Sequence, residues 1–252
     1  MRVMVCVKQI PDPASPYELD PDTHFLRRPT DQVLDDTDRY GVEMGLMIAE
    51  QTEGSVALVS MGPAGNLQGI RQALAMGADR AIVIDDPTLR GADSLATARI
   101  LSAAIGREGF DVVIAGTEST DGYSGVVPQQ IAEFLDAPAL TFAKKVDLDG
   151  ERIRIERQTE YGYDLVETTG PVVITVTAGV VEPRYPTFKG IMAAKSKPID
   201  QITAADLGIT ATSGQEIVAV RPAPERAAGE IIEDEGQAHI RIIQLLEQAK
   251  VI

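Results

Sequence analysis

A single cysteine, Cys6, stands in 252 residues. No disulfide can close within the chain, no cysteine-clustered zinc or iron–sulfur site can form, and a reducing, cytoplasmic setting is expected. Histidine is nearly as scarce: His24 and His239 are the only two, each in a polar, loop-like or terminal neighbourhood without a second histidine or a cysteine nearby. A histidine-based triad and a zinc hydrolase site are therefore not expected. Positive charge is also short. Lys and Arg total 23 against 38 Asp and Glu, a formal charge of −15, the wrong sign for binding nucleic acid or an anionic membrane. The longest apolar stretch, Pro171 to Val181, is broken by Thr175 and Thr177, and the first residues carry no cleavage-site pattern. Neither a membrane span nor a signal peptide is expected. No carboxylate pair is coupled to a nearby base and no Ser or Cys has a candidate imidazole, so no catalytic residue is assigned.

What is present is a chain able to bury roughly 70% of its unfolded surface. Val3 to Val7, Val56 to Val59, Ala81 to Ile84 and Val112 to Ala115 are apolar runs too short for helices, with helix-period stretches between them at Val42 to Ala49, Ile70 to Met76 and Leu95 to Ile105. Such alternation predicts a Rossmann-like, doubly wound, mostly parallel sheet with right-handed crossovers. After Pro138 the period changes. Ala139 to Val146 and Arg152 to Gln158 flank an Asp-Gly turn and read as an added antiparallel hairpin, with Tyr163 to Glu167 and Val172 to Thr177 as two more strands, the second central. Thr203 and Asp206 have capping-box spacing at a short helix. The globular body is expected over residues 1–209. Residues 210–252 read as an extended C-terminal arm, running through the Arg221 to Arg226 and Glu233 to Gly236 segments to a helix with Ile240, Ile242, Ile243, Leu245 and Leu246. That helix docks on its own body or on another chain.

Three segments can carry function. Gly116-Thr117-Glu118-Ser119-Thr120-Asp121-Gly122-Tyr123-Ser124-Gly125 follows a strand and precedes a helix from Val126; its glycines and hydroxyls suit a phosphate held by N–H groups at a helix N-terminus, although the same residues suit an ordinary loop. Ser94 and Thr97 lie three apart at another helix start and can present two hydroxyls, or Ser94 and Asp93 merely cap the helix. The segment Glu182 to Lys197 gathers three lysines and an arginine around Phe188, Ile191 and Met192, the composition of an exposed docking site, with burial of the three apolar side chains as the alternative.

Val5-Cys6-Val7-Lys8-Gln9-Ile10-Pro11-Asp12, the Ser60-Met61-Gly62-Pro63-Ala64 turn, Ala73-Leu74-Ala75-Met76-Gly77-Ala78-Asp79, the Gly116 loop and Glu182-Pro183-Arg184-Tyr185 through Lys197 occur in this order. Together they resemble electron transfer flavoprotein β subunits, the FixA type among them, across residues 1–209. The resemblance implies a heterodimer with a homologous α subunit that carries most of an FAD site, and AMP buried in the β chain. It places the nucleotide pocket at Cys6, Asp35, Asp36, Thr37, Asp38, Met61 and the Gly116 loop through Val126 and Val127. It also makes Phe188, Lys189, Ile191, Met192 and Lys195 part of a recognition segment for acyl-CoA dehydrogenase-like donors, with a quinone oxidoreductase as acceptor.

Three departures stand out. Phe188 replaces the family's leucine anchor, and Pro13 stands where an aromatic lies near the flavin, with Tyr17 a few residues on. Arg90 to Thr97 is similar to electron-bifurcating relatives that hold a second FAD, yet the Gly116 loop has Glu118-Ser119-Thr120-Asp121 where both types share Gln-Ala-Ile-Asp. A one-flavin carrier with AMP is the expectation, with a bifurcating β subunit as the alternative. A stand-alone adenine-nucleotide hydrolase or sensor, and a purely structural nucleotide module, are rivals on the same fold.

Overall fold

Val3 and Val5 of β1 (Arg2–Cys6) face one apolar core and Met4 faces the other, which is why the first strand reads as a continuous apolar run. The computed structural model describes residues 1–210, 212–221, 229, 231–234 and 236–252. It forms two units, Met1–Ile217 and Val218–Ile252.

In the first unit, β2 (Gln9–Ile10) and β3 (Val33–Leu34) make a small antiparallel ribbon. There follow α1 (Asp36–Gln51), β4 (Ser55–Met61), α2 (Gln68–Met76), β5 (Arg80–Ile84), α3 (Ser94–Glu108), β6 (Val112–Gly116) and α4 (Val127–Phe134). The remainder is β7 (Ala139–Asp149), β8 (Arg152–Thr159), β9 (Gly162–Thr169), β10 (Val172–Val176), α5 (Phe188–Ala194) and β11 (Ile199–Ile202). Nine strands form one sheet in the order β11-β5-β4-β1-β6-β10-β7-β8-β9, parallel from β11 to β7 and antiparallel over β7-β8-β9. The expected doubly wound sheet, its hairpin and the central position of the Val172 strand are all present.

Helices α1 and α2 close one core and α3 and α4 the other. Helix α1 lies close on the sheet: a Cβ on Gly45 would stand 2.8 Å from a methyl of Val5. Because β4 and β5 extend the sheet on one side of β1 while β6 lies on the other, the winding reverses between β1 and β6. A crevice opens there at the carboxyl ends of the strands.

Strands β2, β3 and β11 are absent from the pattern read in the sequence. Ile199–Ile202 alternates too briefly to stand out and is ordered by pairing with β5. Strand β7 runs through Asp149 instead of ending at Val146, pairing with β10 up to Ala143 and with β8 from Ala143 on; Phe142, at φ 57°, lies at the irregularity in the β10 pairing, its N–H donating to Thr175 Oγ1 at 2.7 Å. The capping box forms as expected, with the Thr203 N–H donating to Asp206 and the Asp206 N–H to Thr203 Oγ1. The first unit continues to Ile217, and the Gly214 N–H donates to Asp93 at 2.7 Å. In the second unit, α6 (Ala238–Gln248) buries none of its residues; residues 211, 222–228, 230 and 235 of the arm lie outside the described residues.

Candidate functional site

A cavity of about 290 Å³ occupies the crevice at the winding reversal. Cys6, Val7 and Lys8 leave β1 along one wall, Met61 ends β4, and Ala115 to Ser119 leave β6 opposite. The starts of α3 and α4 close it.

The two helix starts differ. Asp93 caps α3, accepting from the Ala96 N–H at 2.8 Å, and this bond, reinforced by the Gly214 N–H, holds its carboxyl below the usual range. With the cap made by Asp93, Ser94 and Thr97 are left along the cavity wall. Helix α4 has Val126 at its cap and therefore no side-chain acceptor for its first amides. Its positive end meets Gly122, Ser124 and Gly125 at the cavity. Gly125 has φ 64°, a left-handed conformation that favours glycine.

Carboxylates fasten the surrounding loops. Asp35, fully buried, accepts from the backbone and hydroxyl of both Thr37 and Thr120, so it caps α1 and pins the loop after β6. Asp121 is equally enclosed and receives Lys8 Nζ at 2.6 Å and Arg28 Nη2. Burial would raise its pKa, but the two cations outweigh that and lower it. Asp38, at the cavity wall, accepts the Lys8 N–H at 2.6 Å; burial, then the charge of Asp35, pushes its pKa well up. Desolvation, then Asp38, pushes the Cys6 thiol up to about 12, which leaves it protonated and unreactive at neutral pH.

The cavity thus brings together Cys6, Asp38, Met61, Ser94, Thr97, Gly116, Thr117, Glu118, Ser119, Gly122, Ser124, Gly125 and Val127. It does not include Asp35, Thr37, Thr120 or Asp121, which hold its walls. Asp36 pairs outward with Arg39, and Tyr123 and Val126 are exposed. Lys8, Pro128 and Ile131 are wall residues that sequence reading did not assign. In the sequence Lys8 stands out only as part of the Val5 to Asp12 motif, and Arg28 carries no signal. Tyr17 sits beside the same loop: partial desolvation and then the charges of Asp121 and Asp35 raise its phenol.

A second feature is α5. Thr187 caps it, and Phe188 is 81% exposed, Ile191 47% and Met192 49%. Lys189 and Lys195 are exposed as well. The other cations of this segment are committed elsewhere, contrary to the expectation of an all-exposed collar. Lys197 donates to the Leu74, Gly77 and Ala78 carbonyls at the end of α2, and Arg184 is forked onto Glu43. Among the described residues no group of three or more His, Cys, Asp or Glu is arranged to hold a metal, and no helix is long and apolar enough to cross a membrane.

The electron transfer flavoprotein domain family model matches residues 23–207. A Mycobacterium tuberculosis protein named electron transfer flavoprotein subunit beta is 41% identical over 264 residues, covering 100% of this chain and 99% of the relative. The chain belongs to the electron transfer flavoprotein β-subunit family. A β subunit of Thermoanaerobacterium thermosaccharolyticum is 37% identical over 240 residues, with 92% of each chain covered. The caffeyl-CoA reductase-Etf complex subunit CarD of Acetobacterium woodii is 33% identical over 213 residues, covering 83% of this chain and 81% of that one. Members of this family serve electron transfer.

Proposed function

We propose that this electron transfer flavoprotein β subunit pairs with an α subunit, shares an FAD with it, and holds AMP in the cavity between β1 and β6. The observation that carries the reading is the uncapped start of α4 at a cavity whose wall also presents the hydroxyls of Ser94, Thr97, Thr117, Ser119 and Ser124. Backbone amides with a positive helix end suit a phosphate, and Ser94, Thr97 and Ser124 suit its remaining oxygens or a ribose. The volume lies at the low end of the roughly 300–1,000 Å³ of small-molecule sites, which favours a mononucleotide over a second dinucleotide.

In this reading the nucleotide ties strands to helices and stabilises the subunit by linkage. The FAD, when bound, accepts and releases electrons, while this chain supplies walls and a docking face and makes or breaks no bond. Tyr17, beside the Gly116 loop, is the aromatic available to the flavin edge in place of Pro13. Phe188, Ile191 and Met192 seat an acyl-CoA dehydrogenase-like donor, steered by Lys189 and Lys195. A quinone-linked oxidoreductase accepts the electrons. Helix α6, with Ile240, Ile243 and Leu246 exposed, packs on the α subunit, and the complex resides in the cytoplasm.

Co-expression with the α subunit, denaturation and identification of the released nucleotides test this. One FAD and one AMP per heterodimer are expected. Two FAD would replace the reading by the bifurcating one, and a colourless complex that turns over ATP would favour a stand-alone nucleotide hydrolase.

A further inference from the structure

Helix α5 has seven residues, too few to be stable alone in water, yet its apolar side chains stand out from the surface. Its conformation is imposed by its neighbours. Before the helix, Arg184 Nε donates to Glu43 Oε2 at 2.8 Å and Nη2 to Oε1 at 2.9 Å, while the Arg184 N–H donates to the same carboxylate at 3.0 Å. Its Nη1 reaches Glu50 at 2.6 Å. Glu43 and Glu50 are seven residues apart on α1, two turns along one face, and the Glu43 side chain is only 7% exposed. In the middle, Gly190 lies so close to α2 that a Cβ would stand 2.5 Å from the Ala75 carbonyl oxygen. After the helix, Arg71 Nη1 donates to the carbonyls of Ala194 and Lys195. The clamps at Arg184, Gly190 and Arg71 leave Phe188 outside all of them.

We propose that Arg184, through its fork on Glu43, is a positioning residue for partner docking: it fixes the backbone before α5 so that Phe188 is presented preformed. The inference rests on the docking role of Phe188 proposed above. Preformed presentation avoids the entropy of ordering residues 182–188 at each encounter. Arg184 itself points back onto α1 and away from the docking face.

The test uses the heterodimer with its flavin and an acyl-CoA dehydrogenase as electron donor, with Arg184→Ala, Phe188→Ala and the double variant. Arg184→Ala is expected to raise the KM for the flavoprotein about tenfold, the scale of a few newly mobile side chains, with kcat, flavin content and direct chemical reduction unchanged. In the Phe188→Ala background the same substitution should add little, because Arg184 acts through Phe188. If Arg184→Ala yields no heterodimer, Glu43→Gln, which keeps the volume and loses the charge of the fork, takes its place. An unchanged KM in Arg184→Ala, or an equal rise with and without Phe188, overturns the positioning role while the docking reading stands. An unchanged KM in Phe188→Ala removes the docking reading, and this inference with it.

Discussion

Lys8 Nζ lies 2.6 Å from Oδ1 of Asp121, and Arg28 holds the other oxygen of that fully enclosed carboxylate. One side chain therefore joins the end of β1, the segment before β3 and the loop after β6. Asp121→Asn leaves two cations without their partner and should cost about 3 kcal/mol of stability. The sign of its pH dependence follows from the lowered pKa, below the ordinary 3.8: folding favours the ionised form. The contribution is complete above the unfolded value and is lost as pH falls through the folded one. Thermal melts of wild type and variant from about pH 7 down to about pH 3 should converge on acidification. A constant gap would mean that the charge of Asp121 is not what stabilises the fold.

Asp38 behaves in the opposite sense. Burial and Asp35 hold its pKa well above 3.8, so folding favours the protonated acid, and stability present below the unfolded value is lost as pH rises toward the folded one. Asp38→Asn keeps an oxygen for the Lys8 N–H and removes the ionisation. The variant should melt at the same temperature as wild type near pH 4 and above it at about pH 7. A variant less stable than wild type at neutral pH would show that the carboxylate is charged and needed there.

These two aspartates mark how far the sequence could be read. The alternation of Val3, Met4 and Val5 and the runs at Val56 and Val112 reveal a two-sided sheet because burial on both faces leaves a local trace. The order of the strands places the crevice between β1 and β6, so Cys6, Met61 and the Gly116 loop fall into one site. Asp121 looked like one polar loop residue among several; its inward turn depends on Lys8 and Arg28, more than ninety residues away from it. Lys197 and Arg184 look like Lys189 in sequence, and only the carbonyls ending α2 and the carboxylate of Glu43 distinguish them. Local pattern records burial and period, whereas pairing across the fold leaves none.

The hydroxyls at the start of α3 provide a direct check on the nucleotide site. Asp93 already caps the helix, so Ser94→Ala and Thr97→Ala should leave the melting temperature of the nucleotide-free subunit nearly unchanged. Each should weaken AMP binding by about 1 kcal/mol, or about fivefold, as for one hydrogen bond. Calorimetric titration of AMP into the two variants measures this. Unaltered affinity in both would move the nucleotide away from α3.

The lysines around α5 separate steering from structure. Lys189 and Lys195 are exposed, so reversing them to glutamate should leave stability within about 0.5 kcal/mol of wild type. The same change should lower the apparent second-order rate of dehydrogenase-linked flavin reduction, most strongly at low ionic strength, because the charges act over a Debye length of roughly 10 Å in 0.1 M salt. Lys197 donates to three carbonyls, at 2.6 to 3.1 Å, at the end of α2, so Lys197→Ala should instead lower the melting temperature and leave the salt dependence intact. Stopped-flow reduction across a salt series, with melting curves of the same samples, distinguishes the two outcomes. If Lys197→Ala weakened the salt dependence while Lys189→Glu and Lys195→Glu did not, the charges that guide the partner would lie at the end of α2 instead of on the exposed face of α5.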